Sequence, residues 1–239
     1  MKARLGVIGG MGPVASAIFI KNIAEKTCAR TDQEHVDIVC LQNSKIPDRT
    51  AAILSGQTDA VLSELVTSAK ELESLGCKNI SIPCNTACFW AEDLQKHTKL
   101  PVINIVEQTA MHVHNIKNKA NPRVGVLATD GTKTAKTYDT ALSKFGMTCI
   151  YPDATLQALT MDIIYEQVKA TGKGSIEDFN KLCATFKEQE NLDYIILGCT
   201  ELSWFTENFD LENHLIDALA VLVRTSIEAS GHQYKSSGI

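Results

Sequence analysis

The sequence predicts an α/β protein of two similar domains, each a parallel sheet flanked by helices, and three observations carry that prediction. Short apolar runs alternate with stretches of helical periodicity along nearly the whole of the 239 residues, the pattern of strand and crossover helix. One local plan occurs twice: an apolar strand closing on a cysteine and a threonine ahead of a helix-competent stretch. It stands at Ile80-Ser81-Ile82-Pro83-Cys84-Asn85-Thr86-Ala87 and again at Tyr194-Ile195-Ile196-Leu197-Gly198-Cys199-Thr200-Glu201. Polar turns also follow strands in both halves, at Gln42 to Thr50 and at Ala128 to Lys133. Ligands of such sheets gather outside the carboxyl ends of the strands, so two domains facing each other would turn all these segments toward one cleft.

Taken in order, Ala3 to Gly9 reads as a strand, Gly10-Met11-Gly12 as a tight turn, and Pro13 as the first turn of a helix with Ala15, Ile18, Phe19 and Ile23 inward. His35 to Leu41 is a second strand, and the proline-broken segment Gln42 to Thr50 is a loop leaving its carboxyl end. Asp59 to Leu75 has helical spacing and Gly76 stops it. The strand before Cys84 comes next, then a helix from Ala87 to His97 and a strand over Pro101 to Ile105.

The plan then restarts: helix Glu107 to Lys117, strand Arg123 to Leu127, helix Thr132 to Phe145, strand Met147 to Tyr151. Asn118 to Pro122 reads as a hinge or boundary. Helices over Leu156 to Thr171 and Ile176 to Glu188 are split by Gly172-Lys173-Gly174, the strand before Cys199 follows, and His214 to Ser230 reads as an amphipathic helix returning to the first half. The expected domains are therefore 1–106 with 214–239, and 107–213.

Composition bounds the partners. At 44% hydrophobic and 21% charged residues the chain is ordinary globular protein, large enough for a packed core. A net charge of −5 with scattered Lys and Arg argues against nucleic acid. Eight cysteines, with an amino terminus that runs straight into a strand and not into a secretory leader, point to reduced thiols in the cytoplasm. No apolar run reaches the ~18 residues of a membrane span.

Two cysteines stand apart from the rest. Pro83 ends its strand, Asn85 and Thr86 are capping residues, and a helix follows, so Cys84 is expected beside free backbone amides that favour the thiolate. Cys199, between Gly198 and Thr200, has the same setting. Cys28, Cys40, Cys77, Cys149 and Cys183 read as packing residues. Cys88 lies four residues from Cys84, but no second Cys-x-x-Cys accompanies them, which leaves zinc a minor reading. Gly10-x-Gly12-x-x-Ala15 fits a dinucleotide fingerprint, yet Leu41-Gln42-Asn43 stands where its acidic residue belongs, so a turn that lets backbone approach a ligand carboxylate is the stronger reading. Arg49 is suited to fork onto a substrate carboxylate. Lys169 on its own is a solvated helix lysine, and His112 and His114 are helix-surface residues.

Gly9-Gly10-Met11-Gly12-Pro13, Pro47-Asp48-Arg49-Thr50, Pro83-Cys84-Asn85-Thr86-Ala87, Ile164-Tyr165 to Lys169, and Gly198-Cys199-Thr200-Glu201-Leu202 together resemble the aspartate/glutamate racemase family over nearly the full length. The resemblance implies two pseudo-symmetric domains with the active site between them, no pyridoxal phosphate, no metal and a homodimer. It makes Cys84 and Cys199 the two acid/base residues, with Asn85, Thr86 and Thr200 around the α-carboxylate and α-amino group. Arg49 and Lys169 would sit near the distal carboxylate, with Met11 and Thr129 as further lining. The chain departs from the family at Cys88, where histidine is usual, and at Ser203-Trp204, where proline and a leucine-like residue are common; an indole there is expected to reshape the side-chain pocket.

The expected function is cofactor-independent racemisation of an acidic amino acid, aspartate first, with glutamate or a broader set as the alternative. One thiolate removes the α-proton and a thiol on the opposite face returns one. A related thiol-dependent isomerase such as maleate isomerase, and a binder that turns nothing over, are the competing readings.

Overall fold

A computed structural model describes residues 2–235. Met1 and residues 236–239, the outermost residues of the first expected domain, lie outside them. The chain forms two compact units, Met1–Ile105 with Leu219–Ile239, and Val106–Ala218. It passes between them at Ile105 and again at Ala218, so Asn118 to Pro122 is not the boundary and lies inside the second unit.

The first unit holds a four-stranded sheet of β1 (Leu5–Gly9), β2 (Ile38–Gln42), β3 (Asn79–Ser81) and β4 (Val102–Ile103), in the order β2-β1-β3-β4 with every pair parallel. β1 is buried at every residue, as a central strand covered on both faces must be. Its helices are α1 (Pro13–Lys26), α2 (Arg49–Ser55), α3 (Asp59–Ser74) and α4 (Ala91–His97). Pro13 opens α1, where its missing N–H costs nothing. α3 buries Val61, Leu65, Ser68, Ala69 and Leu72 and packs on β1 and β2. Gly76, at φ +80, turns the chain out of the helix in the left-handed region that glycine tolerates. The core gathers Ile8, Leu65, Leu72, Ile80 and Trp90, and both Met11 and Cys84 belong to it.

α5 (Ile105–Ile116) leads into the second unit and α11 (Ala218–Ala229) leads back. The second sheet holds β5 (Arg123–Leu127), β6 (Thr148–Ile150), β7 (Tyr194–Leu197) and β8 (Leu215–Asp217), ordered β6-β5-β7-β8 and again all parallel. Its other helices are α6 (Asp130–Ala135), α7 (Thr137–Ser143), α8 (Ala154–Asp162), α9 (Ile176–Glu190) and α10 (Ser203–Asn208). α9 is capped by Ser175, whose hydroxyl accepts from Asp178 N, and it lays Phe179, Leu182, Cys183 and Phe186 against β5 and β7.

Three of the differences from the sequence expectation concern the second unit. The helix expected over Thr132 to Phe145 is two helices, broken at Lys136, which adopts φ +52. The segment expected to begin a helix at His214 first adds a strand, β8, to the edge of the second sheet. The helix through Lys169 is α-helical only to Asp162; Ile163–Lys169 is wound as π-helix.

Candidate active site

Both sheets have the doubly wound order in which the chain runs outward in opposite directions from the first strand, and a crevice opens where the direction switches. In the first unit that point lies between the carboxyl ends of β1 and β3, and in the second between those of β5 and β7. Met11 follows β1 and Cys84 follows β3; Thr129 follows β5 and Cys199 follows β7. Each cysteine therefore flanks the switch point of its own sheet.

Cys84 is 7% exposed and its amide bonds back to Ile82 O at 2.7 Å, so the chain folds sharply as it leaves β3. Asn85 and Thr86 are buried beside it. The following element is a five-residue 3₁₀ turn, Thr86–Trp90, and α4 begins only at Ala91. Asn85 is in helical conformation and makes no side-chain cap to this turn. The expected full helix dipole at the sulfur is thus replaced by a single turn, because Cys88 N closes on Asn85 O at 3.1 Å and tightens the start. Cys88 Sγ lies 3.9 Å from Cys84 O. No group of three or more His, Cys, Asp or Glu that could hold a metal is assembled among the described residues.

Cys199 is also 7% exposed. Gly198 ahead of it stands in tight packing: a Cβ there would lie 3.1 Å from both Tyr138 and Val126 and 3.2 Å from Leu127 O. The turn that follows is tied by Leu202 N to Cys199 O at 3.0 Å and Ser203 N to Thr200 O at 3.3 Å, and α10 starts at Ser203. Thr200 is buried. The Cys199 thiol donates to Glu201 Oε2 at 3.0 Å. Glu201 is a site feature that residue-by-residue reading passed over, since a glutamate leading into a helix is ordinarily solvated.

Arg49 is not in a solvated loop. Asp48 caps α2 by accepting from Ala51 N at 2.8 Å, which makes Arg49 the first helical residue and leaves it 8% exposed. One terminal nitrogen donates to Ile46 O at 3.3 Å and Pro47 O at 3.1 Å, and Nε is buried with no partner. Among the described residues Arg49 pairs with no carboxylate. A buried guanidinium without a counter-ion is a costly arrangement that an anionic ligand relieves.

Thr129 caps α6 by accepting from Thr132 N at 3.3 Å. Its turn is braced by Gln157, whose amide donates to Ala128 O at 3.0 Å and Asp130 Oδ1 at 2.9 Å. Lys169 ends the π-helical segment, exposed, with Nζ 4.4 Å from the centroid of the Tyr165 ring. Met11 is buried in the first unit's core. Trp204 packs edge-on against Phe205 and Phe209.

Of the residues read as packing or surface, Cys77 and Cys183 are buried, Cys40 and Cys149 half-buried, and Cys28 is exposed. Burial pushes the Cys183 and Cys149 thiols up to about 12, with a contribution to Cys149 from Asp139 and a small one to Cys183 from Glu212, which makes both poor nucleophiles. His114 is half-buried and stacks on Phe145 with 4.8 Å between ring centroids, not a free surface residue.

The chain is 25% identical over 232 residues to the broad specificity amino-acid racemase RacX of Bacillus subtilis, covering 93% of this chain and 96% of that one. The fold superposes on the aspartate racemase of Picrophilus torridus with a TM-score of 0.78 at 28% identity, covering 98% of this chain and 96% of the other. An aspartate racemase homologue from Pyrococcus horikoshii shares the fold, with a TM-score of 0.76 at 23% identity over 97% and 100% of the two chains. No helix among the described residues is long and apolar enough to cross a membrane. Residues 8–225 match the Asp/Glu/Hydantoin racemase family, a span that takes in both cysteines and both switch points, and the chain belongs to that family of isomerases.

Proposed function

We propose that the chain racemises an acidic α-amino acid, aspartate first, by a two-base reaction in which Cys84 and Cys199 act on opposite faces of the α-carbon. One observation carries this reading: a cysteine at the switch point of each of two sheets with the same strand order. A thiolate takes the α-proton and becomes a thiol, while the other thiol gives its proton to the opposite face of the carbanion and becomes a thiolate. No electron leaves the pair, so the reaction needs no redox partner. Backbone amides of the turns after β3 and β7, with Asn85, Thr86 and Thr200, would stabilise charge growing on the α-carboxylate. Arg49 would hold the distal carboxylate, its buried and uncompensated guanidinium being the feature that favours a dicarboxylic substrate. Lys169 would stand at the outer end of the same group, and Met11 and Thr129 would line the walls.

Incubation of the protein with each enantiomer of aspartate and glutamate in deuterated water tests the reading. Loss of the α-proton signal and growth of the opposite enantiomer are expected for aspartate. Exchange with no acidic amino acid would remove the acidic-substrate assignment. The likeness to a broad specificity racemase favours a second reading, a wider substrate set. The same panel run over all common amino acids decides it, since comparable exchange with neutral residues would dismiss Arg49 as the selector.

A further inference from the structure

A cavity of about 760 Å³ lies in the second unit, walled by one face of α9 and by the segment Asp210 to Leu215 that leads into β8. It is at the opposite end of the sheet from Cys199: Leu192 and His214, which line it, stand just ahead of β7 and β8, whereas Cys199 follows the carboxyl end of β7. α9 packs on β5 and β7, and the cavity opens beside it along the edge strand. Its size is that of a small-molecule site. The floor is apolar, with Cys183 and Leu192 each 5% exposed and Leu211 and Leu215 half-buried. The polar groups of the floor are matched among themselves. His214 Nδ1 lies 3.3 Å from Lys187 Nζ and 3.1 Å from Glu212 Oε2, and Lys187 Nζ lies 3.9 Å from the same oxygen. Glu212 therefore offsets the charge of Lys187, while burial, and then Lys187, hold His214 below its ordinary value and leave it neutral at neutral pH. Glu188 and Asp210 complete the rim; both are exposed, and neither pairs with a cation among the described residues. An apolar hollow with carboxylates in excess at its mouth suits a positive head on an apolar body, and an anion would meet repulsion there.

We propose that this cavity binds a small organic cation, an amine carrying an apolar aliphatic or aryl body, with the body on the leucines of the floor and the ammonium among Glu188, Asp210 and Glu212. The site is separate from the two cysteines and does not depend on the racemase reading. An occupant touches α9 on one side and the segment from Asp210 to Leu215 on the other. That segment joins α10, which ends the turn of Cys199, to β8, whose Asp217 accepts from Ser203 and Thr206 of α10. The ligand thus fastens, from outside the candidate active site, the connection on which α10 is held.

Titration of the isotope-labelled full chain with phenylbutylamine, phenylbutanol and phenylvalerate, followed by nuclear magnetic resonance, tests this, because the three probes share one body and differ in charge. The amine is expected to shift amides on both walls, at Ala184 and at Leu211, and to bind about fivefold or more tightly than the alcohol, as exposed carboxylates near a cation allow, with the acid weaker again. Glu188→Gln combined with Asp210→Asn removes the excess charge and should bring amine and alcohol within about twofold of each other. Ala184→Trp, at an exposed position of the α9 wall, should fill the mouth and weaken the amine by about tenfold or more. Equal binding of amine and alcohol, tighter binding of the acid, shifts confined to one wall, or no shift with any probe overturns the proposal on the unmodified chain alone, whether or not a variant folds. Amine binding unchanged in a folded Ala184→Trp variant also overturns it, since the probe then sits elsewhere.

Discussion

Exchanging sulfur for oxygen at Cys84 or Cys199 changes one atom and makes the group a far weaker acid, whose conjugate base is not populated at neutral pH. Both side chains are packed, and serine is no larger, so Cys84→Ser and Cys199→Ser should fold normally. Each should lower kcat for aspartate racemisation by about 10²- to 10⁴-fold, the usual contribution of one positioned acid or base, as followed by circular dichroism of the substrate. Full activity in either variant would take that sulfur out of the reaction. Arg49 makes a separate claim. Lysine keeps the charge but not the fork, so Arg49→Lys should raise KM for aspartate by roughly 10- to 100-fold, the loss of about 1.5–3 kcal/mol carried by a charged hydrogen bond, with a smaller effect on kcat. The place of the two cysteines, just beyond the carboxyl ends of β3 and β7, was legible in the sequence because strand, cysteine and threonine recur together. Glu201 was not, because only the fold shows that the turn curls its carboxylate onto the thiol two residues before it.

At the scale of elements, the short helix α10 matters more than its six residues suggest, since it terminates the turn that carries Cys199, Thr200 and Glu201. Three contacts hold it. Phe205 stacks on Phe179 with 4.1 Å between centroids and 12° between planes, Ser203 Oγ donates to Asp217 Oδ1 at 2.6 Å, and Thr206 Oγ1 donates to Asp217 Oδ2 at 2.7 Å. Phe205→Ala should therefore cost about 3–5 kcal/mol of stability, as buried Phe truncations do, and should lower racemisation even at temperatures where the variant is fully folded. Normal activity in the folded variant would show that the turn holds itself. Asp217 sits on β8, the strand hidden from the sequence: three residues running straight into α11 carry too little period-2 pattern to separate from a helix start. Longer strands were plain, and β5 was expected over the residues it occupies, because an apolar run between a proline and a capping threonine has few alternatives. The break at Lys136 was not readable, since a lysine in the left-handed region carries no compositional mark.

Across the whole molecule the same strand order is built twice, yet the two units differ in the ionisable groups they bury, and stability should record the difference as a function of pH. In the second unit the Cys149 and Cys183 thiols are pushed up to about 12, mainly by burial. A folded thiol raised above its unfolded value stabilises fully below about pH 9, and that contribution is lost as pH rises through 9 to 12, where the unfolded chain sheds the proton first. Each thiol should then withdraw about 1.4 kcal/mol per pH unit over that window. The acid side follows the opposite sign. His214 is held below its ordinary value by burial and then by Lys187, and Asp193 is held low, burial being outweighed by the hydrogen bonds from Lys119 and the Arg123 amide. Both contributions are present above the unfolded values and lost as pH falls, first below about 6.5 through His214 and then below about 4 through Asp193. Thermal unfolding under reducing conditions should accordingly be flat near pH 7 to 8.5 and fall on either side. The transition of the second unit should show the steeper alkaline loss, because both strongly shifted thiols belong to it. A Cys149→Ala, Cys183→Ala double variant should make that limb shallower, leaving the part due to the Tyr151 phenol, which burial also pushes up, and should leave the acid limb in place. Parallel alkaline limbs in variant and parent would mean that some other group sheds its proton there.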